Sequence, residues 1–179
     1  MPFVRVTYAT GSLTEEQKTK LAPLLVECVM GQEVDPVTDS ARSMTPVFFH
    51  KIDYDDDFPG GKRLEHPNRP FWIVESVVAD SFFNQARRDA MQHEIARAFV
   101  QVLGDDGSVA EREGLIFGPS YLLKLHSVII EIPEGSWGVG GKSVDTEKII
   151  QIIGGGVQKP ERLAELQDNL AKVRAARVS

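Results

Sequence analysis

The chain has 179 residues, 20 Lys and Arg against 26 Asp and Glu, a formal charge of −6 and a pI near 5.3, which suits one domain or two small fused units with enough chain for a core. The acidic balance argues against general polyanion binding, the apolar runs fall far short of the roughly 20 residues of a membrane span, and no basic-then-apolar leader opens the chain. Cys28, the single cysteine, excludes an intrachain disulfide and a cysteine-based zinc site, so the expectation is a soluble, cytoplasmic protein that engages neither nucleic acid nor membrane.

The chain opens on a β-prone run, Pro2-Phe3-Val4-Arg5-Val6-Thr7-Tyr8. Thr14-Glu15-Glu16-Gln17 has the spacing of a capping box, and Leu21, Leu24, Leu25, Cys28 and Val29 then recur on one helical face, with Pro23 inside the pattern as a source of bending. A short strand follows at Val47-Phe48-Phe49, and then Phe58-Pro59-Gly60-Gly61. The pattern then repeats: Pro70-Phe71-Trp72-Ile73-Val74-Glu75-Ser76 echoes the opening run 68 positions on. Asp80 or Ser81 is placed to cap a second helix, whose stripe of Met91, Ile95, Ala98, Phe99 and Val102 ends at Gly104. After a longer loop over Asp105 to Ser120 come Val128-Ile129-Ile130 and Trp137-Gly138-Val139-Gly140-Gly141.

These segments predict two βαβ units, residues 2–61 and 70–141, followed by a helical tail over 144–179. A crossover helix makes the two strands of each unit parallel. The expected class is α+β: a four-stranded sheet with both helices on one face. In the tail, Ile149, Ile150, Ile152 and Ile153 mark a short apolar helix. A last helix starts near Pro160, and its seam of Leu163, Leu166, Leu170 and Val173 docks onto the body or onto a neighbouring subunit.

Pro2 is the residue with most chemical content. If Met1 is removed, as the small second residue favours, the chain begins with a secondary amine. An α-amino group titrates near ~7.7 to 8.0, and an apolar setting lowers that value, so it suits general-base work at neutral pH. Pro70 holds the equivalent place in the second copy, but its nitrogen is locked in a peptide bond and is no base.

Met-Pro ahead of a strand, the helix start Gly11 to Lys18, and the segment Ile129 to Gly141 resemble the tautomerase superfamily, typified by 4-oxalocrotonate tautomerase. The resemblance covers residues 2 to about 142. It is to the long members, which fuse two βαβ units and form trimers, such as the cis-3-chloroacrylic acid dehalogenase and malonate semialdehyde decarboxylase groups. It implies a homotrimer and a cofactor-independent reaction on a small anionic enol or 2-oxo acid. The Pro2 amine would act as base in tautomerisation, or as acid in hydration, dehalogenation or decarboxylation. A catalytically weak, tautomerase-like binding protein is the reading from another class.

By the same resemblance, Trp137 supplies an aromatic wall. The arginines of the short members fall here on Ser12 or Leu13 and near Pro46 or Ser127, and the histidine of the dehalogenase group falls on Val29. The nearest cations to hold a carboxylate are Arg87 and Arg88, with Arg5 on the same side of its strand as Phe3 and Thr7, and with His126 as a hydrogen-bond donor.

Other motifs fail on spacing. Gly135 to Ser143 places Ser136 where a phosphate loop needs glycine, and Asp53, Asp55 and Asp57 lack the glycine and glutamate of a calcium loop. His93-Glu94-Ile95-Ala96-Arg97 carries Arg97 where a zinc helix needs its second histidine, so no metal site is expected.

Overall fold

A computed structural model describes residues 2–63, 69–154 and 159–176. Its core is a four-stranded sheet built from β1 (Phe3–Ala9), β2 (Val47–Ile52), β3 (Trp72–Ala79) and β6 (Leu125–Ile132), in the order β2-β1-β3-β6. β1 runs parallel to β2, and β3 runs parallel to β6, with Val4 opposite Val47 and Trp72 opposite Leu125. The two units join through antiparallel β1 and β3, with Phe3 opposite Val77 and Tyr8 opposite Trp72. The expected two parallel βαβ pairs are therefore present, joined about the centre of the sheet.

Helices α1 (Glu15–Glu33) and α3 (Gln85–Leu103) cover one face of the sheet. Thr14 and Gln17 form the reciprocal capping box, the Thr14 hydroxyl accepting from the Gln17 N–H and the Gln17 side chain accepting from the Thr14 N–H. Pro23 lies within α1, which runs through it. Strand alternation sends Val4, Val6 and Tyr8 of β1 and Trp72, Val74 and Val78 of β3 into the helix side, where they pack on Leu21, Leu25, Cys28 and Val29 and on Met91, Ile95, Ala98 and Phe99. Phe3, Arg5 and Thr7 face the other way and are half-buried, while Phe48 and Val128 are exposed. Among the described residues that second face carries no helix.

Two expectations need correction. The N-cap of α3 is Asn84, which accepts from the Arg87 N–H, rather than Asp80 or Ser81. Those two residues belong to a 3-10 turn, Asp80–Phe82, and Ser81 bonds the Thr146 hydroxyl at 2.8 Å. Gly104 does end α3, at φ 89°, a conformation that favours glycine. The stretch from Asp105 to Ser120 is not plain loop but holds an antiparallel hairpin, β4 (Ala110–Arg112) with β5 (Leu115–Gly118), turning at Glu113-Gly114. Gly135 to Ser143 leads into a second hairpin, β7 (Trp137–Val139) with β8 (Lys142–Val144), turning at Gly140-Gly141.

Besides the short α2 (Asp39–Ser43), the chain closes with α4 (Thr146–Gly154) and α5 (Pro160–Ala176). Leu166 and Leu170 are buried and Leu163 and Val173 half-buried, so the α5 seam docks onto its own chain, against the Asp80–Phe82 turn. None of the described helices is long and apolar enough to cross a membrane.

Candidate functional site

Register places the start of β1, the C-terminal end of β3 and the end of β6 at one edge of the sheet, since Phe3 lies opposite Val77 and Val77 opposite Ile130. Pro2 sits here, buried, and shares the parity of Val4 and Val6, which points it to the helix side. Met1, whose removal would free the amine, lies outside the described residues. The neighbouring Phe3 ring is the centre of an aromatic group, 6.2 Å from both Phe48 and Trp137. The Arg5 guanidinium lies 5.8 Å from the Phe3 ring and pairs with Glu75 Oε2 across β1 and β3 at 3.2 Å. Of the sequence candidates, Arg5 and Trp137 both lie against the Phe3 ring on the helix-free face, while Pro2, next to Phe3 in the chain, has the parity of the helix side.

The others are placed differently. Arg87 donates to both carboxylate oxygens of Glu165 and to the Gln32 carbonyl, tying α3 to α5 and to the end of α1. Arg88 donates to both oxygens of Glu131 at 2.9 Å. Both arginines stand at the Pro2 edge of the sheet, yet each is already held by a carboxylate. Arg88 and Glu131 line a cavity of about 450 Å³ that Asn84, Asn169 and Lys172 complete. His126 lies opposite Ile73, four residues along β6 from Ile130. At about 3.3 Å per residue this is roughly 13 Å from the Pro2 edge, so His126 belongs to the other end of the sheet, where it is exposed.

Two residues at this edge escaped the sequence reading. Glu33, the last residue of α1, is 1% exposed, and its Oε2 has no hydrogen-bond partner among the described residues. Burial raises its carboxyl to about 8, against the pull of the positive amino terminus and of Arg162. Arg162 of α5 is 2% exposed and donates to the carbonyls of Gln32, Glu33 and Phe82, which seals the end of α1 and the turn after β3. Its Nη1 lies 3.0 Å from Glu165 Oε2, outside hydrogen-bonding angles. Burial and then the Arg87 charge pull the guanidinium down, while Glu165 is held below the usual carboxylate range chiefly by Arg87.

Elsewhere, a cavity of about 780 Å³ lies along α1, α3 and the β4–β5 hairpin, away from Pro2. Cys28 lines it, but burial pushes the thiol up to about 12, which keeps it protonated and unreactive at neutral pH. Among the described residues no group of three or more His, Cys, Asp or Glu is placed to hold a metal ion.

No family model matches the sequence, and no curated protein matches it significantly. Solved structures do match the fold. The N1 protein, a member of the cis-3-chloroacrylic acid dehalogenase (cis-CaaD) family, is 17% identical over 93% of this chain and 99% of its own, with a TM-score of 0.57. A wild-type fused 4-OT, solved as a symmetric trimer, is 16% identical over 81% of this chain and 96% of its own, with a TM-score of 0.55. Pt0534, solved after inactivation by 2-oxo-3-pentynoate, is 13% identical over 82% of this chain and 98% of its own, also at 0.55. The chain has the fold of the fused, two-unit tautomerase-superfamily structures.

Proposed function

We propose that this chain is a cofactor-independent enzyme in which the Pro2 amine, freed by loss of Met1, moves a proton on a small anionic enol or 2-oxo acid. The observation that carries the reading is the burial of Pro2 at the sheet edge that also gathers the Phe3, Phe48 and Trp137 rings. A secondary amine in such a place loses solvation of its charged form, which keeps a free base available near neutral pH. The amine takes a proton from the enol oxygen side or from carbon, and returns it to carbon as the keto form appears. The aromatic wall excludes water from the conjugated substrate, and Arg5 stacks a cation on its Phe3 ring. The same amine, protonated, would serve as acid in hydration, dehalogenation or decarboxylation.

The assembly we propose is a homotrimer. The helix-free sheet face exposes Phe48 and Val128, and a fused 4-OT of the same fold is a symmetric trimer. Light scattering of the protein at micromolar concentration should give three times the chain mass, and a monomer would contradict it.

A second reading has its own support. Arg5, Arg87 and Arg88 each face a carboxylate of the same chain, which favours a binding protein of this fold with weak catalysis. One experiment separates them. Untagged protein, shown by mass to lack Met1, is assayed for ketonisation of a 2-hydroxydienoate and of phenylenolpyruvate, beside Pro2→Ala. The enzyme reading expects the variant to lose about 10²-fold or more, the usual scale of acid–base catalysis. It also expects 2-oxo-3-pentynoate to add once to the wild type and not to the variant. Absence of both turnover and adduct in Met1-free protein would overturn it in favour of the binding protein.

A further inference from the structure

The reading of Pro2 leaves Glu33 unexplained. A buried carboxyl is costly unless paired and hydrogen-bonded, and Glu33 Oε2 has no hydrogen-bond partner among the described residues. Its position is nonetheless fixed with care. Arg162 spends its Nε and Nη2 on the backbone carbonyls of Gln32, Glu33 and Phe82, and so holds the end of α1 rather than the Glu33 carboxylate. The Phe82 carbonyl lies three residues past the end of β3, and the partner of β3 at that end is the first residue of β1. Pro2 precedes that residue, on the helix side, where α1 ends. The charges that act on the Glu33 carboxyl are the amino terminus ahead of β1, which in this chain is still that of Met1, and Arg162 from α5, while Arg87 of α3 and Glu165 of α5 pair beside Arg162. Arg87 and Arg162 share Glu165 between them.

Resting on the reading of Pro2 as the working amine, we propose that Glu33 is a positioning residue that shares a proton with the Pro2 amine at a sheet edge closed by the C-terminal helix. In the step that couples them, a prolinium N–H bond breaks and a Glu33 O–H bond forms, so an ion pair becomes a neutral amine and a neutral acid. The net charge of the site does not change, and no ion is left alone in a buried place. Substrate therefore meets a free base, and the proton returns to the amine when the carboxylate re-forms. Burial lifts the Glu33 carboxyl out of the usual carboxylate range toward that of amino groups, the direction such exchange requires.

The test reads the amine directly. In Met1-free protein labelled with ¹⁵N-proline, Pro2 alone has a titrating ring nitrogen. Glu33→Gln should lower its titration midpoint by about one to two units, the scale of removing one charge a few ångströms away at intermediate dielectric. Glu33→Asp should restore most of that shift. The acidic limb of the kcat/KM profile for phenylenolpyruvate should move with the midpoint. A midpoint unmoved in folded Glu33→Gln protein overturns the proposal. Should that variant fail to fold, carboxyl ¹³C titration of the wild type decides. A Glu33 carboxyl that titrates together with the amine supports the coupling, and one that titrates in the ordinary range near 4 overturns it. A shifted amine without turnover would retain Glu33 and sink the catalytic reading, whereas Pro2-dependent turnover indifferent to Glu33 would do the reverse.

Discussion

The two βαβ units share a frame and differ in what closes it. α1 and α3 are both 19 residues long, and their buried positions correspond at a constant step of 70: Leu21, Leu25, Cys28 and Val29 against Met91, Ile95, Ala98 and Phe99. The connections are unequal. Val4 pairs with Val47, 43 residues on, whereas Trp72 pairs with Leu125, 53 residues on, and the second crossover accommodates the β4–β5 hairpin. The helix ends are unequal too. α3 stops at Gly104, beside the hairpin, while α1 stops at Glu33 beneath a buried arginine from α5. Since α5 lies outside both repeats, a duplicated frame supplies the core and an appended helix makes one edge chemically distinct. Only the first unit begins with a proline able to become an amine.

The harshest way to break this asymmetry is to remove Arg162. Arg162→Met leaves the carbonyls of Gln32, Glu33 and Phe82 without its donors and takes one cation from Glu165. Breaking a buried charged network of this kind costs about 3–5 kcal/mol, read as a lower urea midpoint. The control in the second unit is Arg97→Met, whose one ion pair among the described residues is with Glu94 one turn away on the exposed side of α3. Exposed pairs contribute little, so this change should stay within about 0.5 kcal/mol. Equal losses for the two variants would mean that α5 does not close the first unit.

A smaller effect follows from Glu33 itself. Its folded carboxyl is raised to about 8, while an exposed glutamate titrates near 4.3. The folded state therefore keeps a proton that the unfolded chain releases, and this contribution is present in full below pH about 4 and is lost as pH rises through about 8. The loss amounts to a few kcal/mol at most. The melting temperature of the wild type should fall between pH 5 and pH 9, and Glu33→Gln should flatten that fall. Leu103, the counterpart of Glu33 in α3, offers no such group. A wild-type slope unchanged in the variant would place the pH sensitivity elsewhere.

Much of the frame was legible in the sequence because its signals are local. The Thr14–Gln17 box, the two helical stripes and Gly104 each act within a few residues. Asn84 was missed because Asp80 and Ser81 stand closer to the strand end, and Phe82 then buries and draws them into a 3-10 turn. The β4–β5 hairpin read as loop because its strands are only three and four residues long. The edge chemistry was hidden for a different reason. A glutamate ending a helix reads as solvated, and the contact that buries Glu33 comes from Arg162, 129 positions away. Arg87 and Arg88 read as carboxylate ligands, and their carboxylates turned out to be Glu165 and Glu131 of the same chain. Residue type carried the chemistry, but long-range partners decided where it was spent.

The finest probe of the comparison lies at the helix starts. Thr14 caps α1 within a closed local box, while Asn84 caps α3 and also donates its amide to Glu165 Oε1 of α5 at 2.7 Å. Replacing either by alanine removes a cap worth about 1 kcal/mol, but Asn84→Ala also cuts a charge-assisted tie to α5. Asn84→Ser keeps an acceptor for the Arg87 N–H and loses only the amide donor, so it isolates that tie. If α5 is anchored to the second unit as firmly as to the first, thermal melts should rank the losses Asn84→Ala, then Thr14→Ala, then Asn84→Ser. If Asn84→Ser matches the wild type and Asn84→Ala matches Thr14→Ala, the amide contributes nothing. The hold of α5 then rests on Arg162 and Arg87, which concentrates the asymmetry of the molecule at the end of α1.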